Sequence, residues 1–453
     1  MASNTLFRHG YHDLLRPEIL ALIPTTAKKI LDLGCGTGAL GKALKQRQKC
    51  HVTGIELNKQ AHEAALKNID VCLCDNLNRY DPLLNSARYD CIIFADILEH
   101  LVNPWGVLNK YVKVLTENGH IIASFPNVAH PNISQNLKRG LFRYEPAGIL
   151  DITHLRFFTK TSIFGTFYGA GLKIVRCNSH PSSDNPIQYL ITAIKPRLIH
   201  KNPLVTILIL SFNGWQYTKQ CIESIKRKTH EPYKILVIDN ASTDETIKEL
   251  RQDPQIFHIE NTHNLGFAAG FNVGLALTNT PYFVICNNDV VVTPYWLKTM
   301  VADIESDEKL LLLGARSNFV TGPQKVDNVP YKSEKELDAY AVNYTKNATA
   351  TVTYCHRVVF FCTLFKIAAL AGIGFLDEIF GMGNFEDDDY CLRIAKKGYK
   401  TAYDSSVFIH HYGSKSFNKD RDAYRLLLQK NKALFMKKHG FADCNCSQPV
   451  PTQ

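Results

Sequence analysis

A short hydrophobic segment that runs into a cluster of glycines restricts the fold of this chain more than any other feature. Residues 30–33 read ILDL and are followed by GCGTGALG over 34–41. This pattern predicts a buried strand with a tight turn at its end, because glycine adopts backbone conformations that other residues avoid. Further strand-like segments at 51–56, 89–94 and 120–124 alternate with helical stretches. The first half is therefore predicted to be an α/β domain with a mainly parallel sheet.

The pattern starts again in the second half. New strands are predicted at 205–210, 234–238 and 282–286, and the basic, proline-containing stretch KPRLIHKNP over 195–203 lies between the two sets. A length of 453 residues suits two or three domains. We predict a domain over 1–195, a linker over 196–203, a second domain over 204–440 and a loose tail over 441–453.

Composition excludes several classes of protein. No apolar run is long enough to span a membrane, and the N-terminus has no apolar core of a secretory signal. Thirteen cysteines in an odd, scattered set favour reduced thiols and a cytoplasmic location. The net charge of +10 suits phosphorylated ligands or an anionic membrane surface. No zinc-finger or RNA-recognition signature is present, so no nucleic-acid partner is expected.

The glycine cluster of the first half suits two ligands. Gly36, Gly38 and Gly41 form G-x-G-x-x-G, and Glu56 ends the next strand, where it could bind ribose hydroxyls. NAD and S-adenosylmethionine sites share both features. Asp32 precedes the first glycine, where a carboxylate attracts the ammonium and sulfonium charges of S-adenosylmethionine. This favours S-adenosylmethionine, with an NAD-dependent reductase as the alternative.

The segments KKILDLGCGTGALG, GIEL, CDN and YDCIIFADILEHLVNPW resemble those of class I S-adenosylmethionine-dependent methyltransferases, over roughly residues 11–195. The resemblance implies a Rossmann-like fold with S-adenosylmethionine as cofactor. The downstream segment FPNVAHPNISQNLKRGLFRYEPAGILDITHLRFFT resembles a bacterial subgroup found near sugar-polymer synthesis. The implied donor-binding residues are Asp32, Gly34, Gly36, Gly38, Glu56, Asp75, Asn76 and Asp96.

Two histidines of this half are candidates for catalysis. Methyl transfer mainly requires that the acceptor be positioned, but a hydroxyl acceptor also benefits from a base. Neutral imidazole can accept a proton at pH 7, so His100 and His154 are the candidate bases. The alternative is that both are structural histidines.

Polar residues follow the strands of the second half. Asn213 and Gly214 follow the first strand, and Asp239 ends the next. A helix is predicted to start at Ser242 or Thr243. The third strand ends in NND over 287–289, and carboxylates at such strand ends lie where α/β proteins bind ligands.

This order resembles family 2 glycosyltransferases of the GT-A fold, over about residues 203–440. The resemblance implies a nucleotide-sugar donor and a metal, Mg²⁺ or Mn²⁺, bound by Asp289 and by His411 of VFIHHYGSKSF, with His410 as the fallback. Asn287 stands where many relatives have the first Asp of a D-x-D element, which leaves one carboxylate there. The implied donor-binding residues are Asn213, Asp239, Asn240, Ser242, Asn264, Gly266, Asn272 and Asn288.

Four consecutive acids occur in GNFEDDDYCLR. One interpretation is a solvated helix start, since acids favour that end of the helix dipole. The resemblance instead places the family's catalytic Glu-Asp pair on Glu386 and Asp387. It implies inversion, with Asp387 as the base and Asp388 as the next candidate.

The predicted function combines both halves. ARSNFVTGPQ and NKALFMKKHG resemble a bacterial subgroup linked to O-antigen and other surface glycans. We therefore predict a bifunctional enzyme that adds one sugar to a glycan or lipid-linked glycan and methylates a sugar or glycan. Residues 415–440 are predicted to form an amphipathic helix that covers the domain or contacts anionic lipid at the inner membrane surface. The alternative is a scaffold in which one domain only binds.

Overall fold

The computed structural model describes residues 15–85, 87–183, 185–196, 200, 202–348, 351–413 and 421–441. The chain divides into two compact units, Met1–Arg197 with Arg251–His258, and Leu198–Leu250 with Ile259–Gln453. Most of the predicted tail, residues 442–453, lies outside the described part, as do residues 197–199 and 201 of the predicted linker and 415–420 of the predicted amphipathic helix. Within the described residues, no helix is long and apolar enough to cross a membrane.

The first unit contains a seven-stranded sheet in the order β3-β2-β1-β4-β5-β7-β6. Its strands are β1 (Lys29–Leu33), β2 (His51–Glu56), β3 (Val71–Cys74), β4 (Tyr89–Ala95), β5 (Leu115–Pro126), β6 (Lys173–His180) and β7 (Gln188–Ile194). The first five are parallel, and β7 pairs antiparallel with both β5 and β6. This confirms the α/β fold predicted for the first half.

The helices of the first unit are α1 (Pro17–Leu20), α2 (Ala39–Arg47), α3 (Lys59–Ala65), α4 (Pro104–Val112), α5 (Pro131–Lys138) and α6 (Lys160–Gly169), with short 3₁₀ turns at Pro82–Asn85 and Leu98–His100. Of these, α2, α3 and α4 lie between parallel strands. The helix starts follow from local chemistry: the Asn58 side chain accepts from two amides of α3, and Thr159 and Ser162 form a capping box on α6. The strand β1 is buried from Ile30 onward, as its apolar sequence requires.

A second, eight-stranded sheet has the order β10-β9-β8-β11-β15-β13-β16-β14, with a separate pair β12-β17. The strands are β8 (Val205–Ser211), β9 (Tyr233–Asp239), β10 (Phe257–Glu260), β11 (Tyr282–Asn287), β12 (Val290–Val291), β13 (Leu310–Arg316), β14 (Val352–Tyr354), β15 (Cys362–Lys366), β16 (Lys400–Phe408) and β17 (His410–His411). The strands β9, β8 and β11 are parallel, whereas β15 is antiparallel to β11. The sheet is therefore mixed.

The helices that accompany this sheet are α7 (Trp215–Lys228), α8 (Thr246–Gln252), α9 (Phe267–Leu275), α10 (Trp296–Ile304), α11 (Glu334–Lys346), α12 (Ala368–Ile373), α13 (Glu386–Lys396) and α14 (Arg421–His439), with 3₁₀ turns at Gly322–Gln324 and Glu378–Phe380. The prediction that a helix starts at Ser242 or Thr243 is wrong, since α8 begins at Thr246. Asp244 explains the later start, because its side chain accepts from the Thr246 amide at 3.0 Å.

Two candidate active sites

The first candidate site is a cavity of about 340 Å³ at the carboxyl ends of the first sheet's parallel strands. The strand β1 lies between β2 and β4, so the chain order reverses on either side of it. Ligands of open α/β sheets bind at such a switch point. Seven of the eight predicted donor-binding residues line the cavity: Asp32, Gly34, Gly36, Glu56, Asp75, Asn76 and Asp96.

The glycine turn shapes one wall of this cavity. Gly34 has φ +70°, and a Cβ placed there would come within 2.0 Å of the Ile97 side chain. The Gly36 amide donates to Oε2 of Glu56 at 2.9 Å, and the Asn58 amide donates to Oε1 at 2.8 Å. The Glu56 carboxylate is thus held in place by backbone amides. Gly38 is the exception among the predicted residues, because it precedes α2 and does not line the cavity.

Asp32 is the most buried carboxyl group of the cavity wall, with only 3% of the residue exposed. Burial raises the pKa of Asp32 to about 7, and the neighbouring Glu56 carboxylate contributes to the same rise. A bound cation would reverse this shift by favouring the ionised form. The position therefore suits a positively charged ligand.

Asp96 also lines the cavity and is already engaged by protein groups. Its carboxylate forms an ion pair with Arg16 and accepts a hydrogen bond from the Ser124 hydroxyl at 2.7 Å. The Gln188 amide also donates to it. Arg16 itself lines the cavity. Sequence reasoning missed Arg16 because it lies outside any motif, before the short helix α1.

The two candidate base residues, His100 and His154, are neighbours. Their ring centroids are 4.7 Å apart, with an angle of 72° between the ring planes. His100 lines the cavity, whereas His154 does not. Burial lowers the pKa of His100, and the nearby His154 ring adds to the decrease. The structure therefore places a neutral imidazole at the cavity edge.

The second candidate site is built around the short strand pair β12-β17. Val290 pairs with His411 in this ladder, which brings the preceding Asp289 beside the histidine. Nε2 of His411 lies 3.0 Å from Oδ1 of Asp289, and Nδ1 lies 2.7 Å from the carbonyl oxygen of Phe319. Phe361 stacks on the imidazole at 5.3 Å. The histidine is thus fixed on three sides.

Both ring nitrogens of His411 face oxygen acceptors, and a neutral imidazole can donate to only one of them. If Nδ1 donates to the Phe319 carbonyl, Nε2 presents a lone pair toward the Asp289 carboxylate. The side-chain amide of Asn287 lies 3.4 Å from Nε2, which is consistent with this tautomer. A lone pair beside a carboxylate oxygen fits a divalent cation held between them.

His410, the fallback ligand, points elsewhere. Its Nδ1 lies 2.7 Å from the hydroxyl of Tyr331, within a cluster of aromatic rings that includes Tyr412. Burial lowers the pKa of His410 to about 4. The alternation of side chains along β17 therefore separates the two histidines, and only His411 lies beside Asp289.

The loops after β8 and β9 are joined by polar side chains. The Asn213 amide donates to the Ser242 hydroxyl at 2.8 Å, and its side-chain oxygen accepts from the Thr243 amide at 2.8 Å. Asp239 is fully buried and accepts from the Ser242 amide at 2.9 Å. These contacts hold the end of β9 in a fixed turn.

Other predicted donor-binding residues form structural contacts. Asn240 is 2% exposed, and its amide donates to Asn264 and to the carbonyl of Gly266. Asn272 exchanges hydrogen bonds with the backbone of Leu376, and Asn288 donates to the Thr218 hydroxyl at 3.0 Å. The Asn240 and Asn272 amides thus shape the loops around the site.

The four consecutive acids occupy the first turn of α13 and have different partners. Asp389 is fully buried and pairs with Arg393, Lys438 and His439. Asp388 pairs with Arg357 at 2.8 Å. Burial raises the pKa of Asp388 to about 7, with the Asp387 charge as the second cause.

Glu386 and Asp387 are the remaining acids and are 5% and 6% exposed. Burial raises the pKa of both carboxyl groups, and the Asp387 charge raises that of Glu386 further, whereas Arg357 opposes the shift at Asp387. The preceding Asn384 and Phe385 both have positive φ angles, of 72° and 76°. Such strain suits a functional turn. The burial of Glu386, Asp387 and Asp389 rules out a freely solvated helix start.

Residues 357–361 connect the acids with the Asp289–His411 pair. Arg357 binds Asp388 at one end, and Phe361 stacks on His411 at the other. The Phe361 carbonyl also accepts from the Asn287 amide at 2.8 Å. Sequence reasoning missed Arg357 and Phe361, which belong to no recognised motif. The one feature that could have indicated Arg357 is an arginine that directly precedes the apolar residues of CHRVVFF.

The helix α14 supports the strained turn before α13. The Asn431 amide donates to the carbonyls of Phe380 and Gly383, both at 2.8 Å. Lys438, in the last turn, binds Asp377 and Asp389. These contacts support the interpretation of this segment as a helix that covers the domain.

Comparisons with known proteins match the two halves of the chain to two different families. Residues 7–176 match a family model described as a methyltransferase domain, and residues 206–368 match glycosyl transferase family 2. A 117-residue region is 32% identical to an uncharacterised glycosyltransferase of Haemophilus influenzae, covering 25% of this chain and 36% of that protein. A 191-residue region is 25% identical to a ubiquinone biosynthesis O-methyltransferase of Psychrobacter arcticus, covering 38% and 72%.

Solved structures show weaker likeness. A mannosyltransferase from Pyrobaculum calidifontis, in complex with GDP-Man and Mn²⁺, is 19% identical with a TM-score of 0.38, covering 52% of this chain and 64% of that one. An O-methyltransferase family protein from Burkholderia thailandensis is 14% identical with a TM-score of 0.32, covering 40% and 55%. The chain spans about a third of the length of the Haemophilus relative.

Proposed function

Because the chain joins an S-adenosylmethionine-type methyltransferase domain of Rossmann-like fold to a family 2, GT-A-like glycosyltransferase domain, we propose that it is a bifunctional enzyme of bacterial surface-glycan synthesis. One domain transfers a glycosyl unit from a nucleotide-sugar with inversion. The other methylates a hydroxyl of a sugar or glycan. The observation that carries the proposal is that each domain keeps a buried, ordered set of polar groups at the end of its parallel strands.

In the methyltransferase domain, the cavity walls have charges suited to S-adenosylmethionine. Four acidic or amide side chains of the cavity wall are proposed as ligand contacts: Asp32 and Glu56 for the cationic and ribose parts, and Asp75 and Asn76 for the adenine edge. All four line the cavity. The O–CH₃ bond forms as the S–CH₃ bond breaks, which leaves S-adenosylhomocysteine. The hydroxyl proton passes to a water molecule at the cavity edge, where His100 lies beside His154.

In the glycosyltransferase domain, the proposed base is Asp387. Its carboxylate takes the acceptor hydroxyl proton as the oxygen attacks the anomeric carbon and the bond to the nucleoside diphosphate breaks. Attack from the face opposite the leaving group inverts that carbon. Burial raises the pKa of Asp387, which makes the carboxylate a stronger base than an exposed aspartate.

Asp289 and His411 are the residues proposed to hold Mg²⁺ or Mn²⁺. A divalent cation bound there would offset the charge that develops on the departing nucleoside diphosphate. Asp239, held by the Ser242 amide, is proposed to contact the nucleotide at the end of β9. Joining the two activities in one chain raises the concentration of one product near the other site.

One observation favours a second candidate. Asn287 replaces the first carboxylate of the D-x-D element and thereby reduces the negative charge available to a metal. In this alternative, the glycosyltransferase domain binds its ligand without catalysing transfer, and the chain acts as a scaffold. The intact Asp289–His411 pair and the buried Asp387 support the enzyme over the scaffold.

Thermal unfolding with a ligand panel tests the proposal. We expect S-adenosylmethionine to shift one transition and one of UDP, GDP or dTDP, with Mn²⁺, to shift another. A ligand at a hundred times its dissociation constant stabilises its site by about 2.7 kcal/mol. A shift by NAD in place of S-adenosylmethionine contradicts the methyltransferase assignment. If no nucleotide acts with metal, the scaffold is favoured.

Mass spectrometry of glycan acceptors incubated with the matching nucleotide-sugar then tests catalysis. We expect a gain of one sugar, and of one methyl group when S-adenosylmethionine is added. Glycan and lipid-linked glycan acceptors are compared in parallel to identify the acceptor class. Binding of both donors without either product would overturn the bifunctional proposal.

A further inference from the structure

Three side chains with metal-binding atoms converge beside the methyl-donor cavity. Glu99 and His100 belong to the 3₁₀ turn Leu98–His100, and His154 comes from a loop distant in sequence. One potential ligand atom from each residue lies within 4.8 Å of those from the other two. The cluster lies in the first compact unit, whereas the Asp289–His411 pair lies in the second.

Backbone hydrogen bonds hold the two segments together. The amides of Leu155 and Arg156 both donate to the carbonyl of Glu99, at 2.8 and 3.0 Å. These bonds attach the residues that follow His154 directly to the turn that carries Glu99 and His100. The convergence of the three side chains is therefore a property of the backbone fold.

The tautomers of both histidines are set by the same loop. Nδ1 of His100 lies 3.2 Å from the carbonyl oxygen of Thr153, and Nδ1 of His154 lies 2.9 Å from that of Ile149. A ring that donates from Nδ1 to a carbonyl carries its lone pair on Nε2. In metal sites, a hydrogen bond of this kind from the ring nitrogen that does not bind the metal orients the histidine.

Glu99 is the acidic member of the cluster and is 1% exposed. Neither of its carboxylate oxygens has a hydrogen-bond partner among the described residues. A buried carboxylate without a partner is costly. Two imidazole lone pairs cannot donate to it, so the neighbouring histidines leave the carboxylate unsatisfied. A cation satisfies all three groups at once.

We propose that Glu99, His100 and His154 bind a divalent transition-metal ion, such as Zn²⁺, at the edge of the methyl-donor cavity. Two imidazoles and one carboxylate are ligands that such ions accept, and three protein ligands leave a position open. Because His100 lines the cavity, that position faces the acceptor side. The role of the ion rests on the proposed methyl transfer: it would bind the acceptor hydroxyl and make it more acidic.

Co²⁺ titration of the metal-free full chain, followed by visible absorption, tests the site. The background is His411→Gln, which weakens the proposed glycosyltransferase metal site. We expect one Co²⁺ to bind in this background with a ligand-field spectrum. Adding Glu99→Gln or His154→Gln is expected to weaken Co²⁺ binding by at least roughly 10–100-fold, which is the cost of losing a residue that only supports a metal ligand. Unchanged binding in both variants overturns the proposal.

Two further measurements keep the result unambiguous. Pulsed electron paramagnetic resonance of Cu²⁺ bound to the His411→Gln protein should show two coordinated imidazoles. Fewer than two would overturn the site, and this result does not depend on whether the Glu99→Gln and His154→Gln variants fold. Thermal shifts by S-adenosylmethionine are recorded on the same samples. A shift by S-adenosylmethionine without metal binding refutes only the metal site. Metal binding without that shift supports the site and contradicts the proposed methyl transfer.

Discussion

Nε2 of His411 lies 3.0 Å from Oδ1 of Asp289, although the two residues are more than a hundred positions apart in the chain. The strand pair β12-β17 accounts for this proximity, since Val290 pairs directly with His411. Nδ1 of His411 donates a hydrogen bond to the Phe319 carbonyl, which leaves Nε2 facing the Asp289 carboxylate. Backbone pairing therefore sets the geometry after the end of β11 and places the two proposed metal ligands side by side.

The first prediction concerns this pair. We expect Asp289→Asn and His411→Gln each to remove most of the Mn²⁺-dependent part of the thermal shift produced by the matching nucleotide. His410→Gln is the matched control, because His410 contacts Tyr331 and points away from Asp289. The measurement is the unfolding temperature with nucleotide, with and without Mn²⁺. Equal losses in the His410 and His411 variants would contradict the assigned ligand.

The second prediction separates the neighbouring acids of α13. Asp387→Asn is expected to lower kcat for glycosyl transfer by about 10²–10⁴-fold, as loss of a general base does, while nucleotide binding is kept. Arg357→Gln is a useful comparison, since Arg357 binds Asp388 and its charge opposes the raised pKa of Asp387. That variant should shift the pH–rate profile upward in pH. Unchanged transfer by Asp387→Asn would exclude Asp387 as the base.

The sequence predicts the sheets and strand ends better than it predicts what each polar residue contacts. Apolar segments and the glycine turns that follow them locate β1, β2 and β8 almost to the residue, because these strands are determined by the local pattern of apolar residues. The predicted donor-binding residue Asn240 instead holds the 264–266 loop. Such a contact depends on chain segments that meet only after folding. The late start of α8 instead reflects a local choice among successive polar residues, of which Asp244 caps the helix.

Residues that enter a site from distant segments were not predictable. Arg16 reaches the methyl-donor cavity from before the first strand, and Arg357 reaches Asp388 from before β15. Neither has a motif or a periodic neighbour that indicates its role. Conversely, the choice of His411 over His410 needed the register of β17, since adjacent residues of a strand point to opposite faces.

The third prediction is a pH dependence of S-adenosylmethionine binding. With a pKa of about 7, Asp32 is mostly protonated at pH 6 in the free protein, whereas the cationic ligand favours the ionised form. Binding below pH 7 must then release a proton, so affinity should fall toward tenfold per pH unit as the pH decreases and level off above it. Calorimetry in buffers of different ionisation enthalpy measures the proton release.

Asp32→Asn tests the origin of that effect. This variant should bind S-adenosylmethionine weakly at every pH and release no proton from this position. Asp70→Asn serves as the control, because Asp70 pairs with Lys45 and does not line the cavity. A pH profile that persists in Asp32→Asn would assign the proton to another group.

The fourth prediction compares two glycines with similar positive φ angles. Gly266 has φ +82°, and a Cβ there would lie 2.2 Å from the carbonyl oxygen of Gly381; Gly322 has φ +75° with nothing within 4 Å. Alanine at either position carries the cost of a positive φ angle, about 1 kcal/mol or more. Only Gly266→Ala adds a clash, for a further 1–3 kcal/mol or so. Chemical denaturation should show the larger loss for Gly266→Ala, and equal losses would refute the close approach.

The last prediction concerns Asp389, which differs from its neighbours in having a structural task. Its fully buried carboxylate binds Arg393 at 2.8 Å and His439 at 2.8 Å, and it also pairs with Lys438, so it joins α13 to the end of α14. Asp389→Asn removes the counter-charge of Arg393 and Lys438, whose side chains are 22% and 27% exposed, and should cost about 1–3 kcal/mol of unfolding free energy. Asp327→Asn, which breaks an exposed pair with Lys325, should cost less than about 1 kcal/mol. Because α14 supports the turn that precedes Glu386, the stability loss should be accompanied by weaker glycosyl transfer. Full stability with lost transfer would instead assign Asp389 to the chemistry.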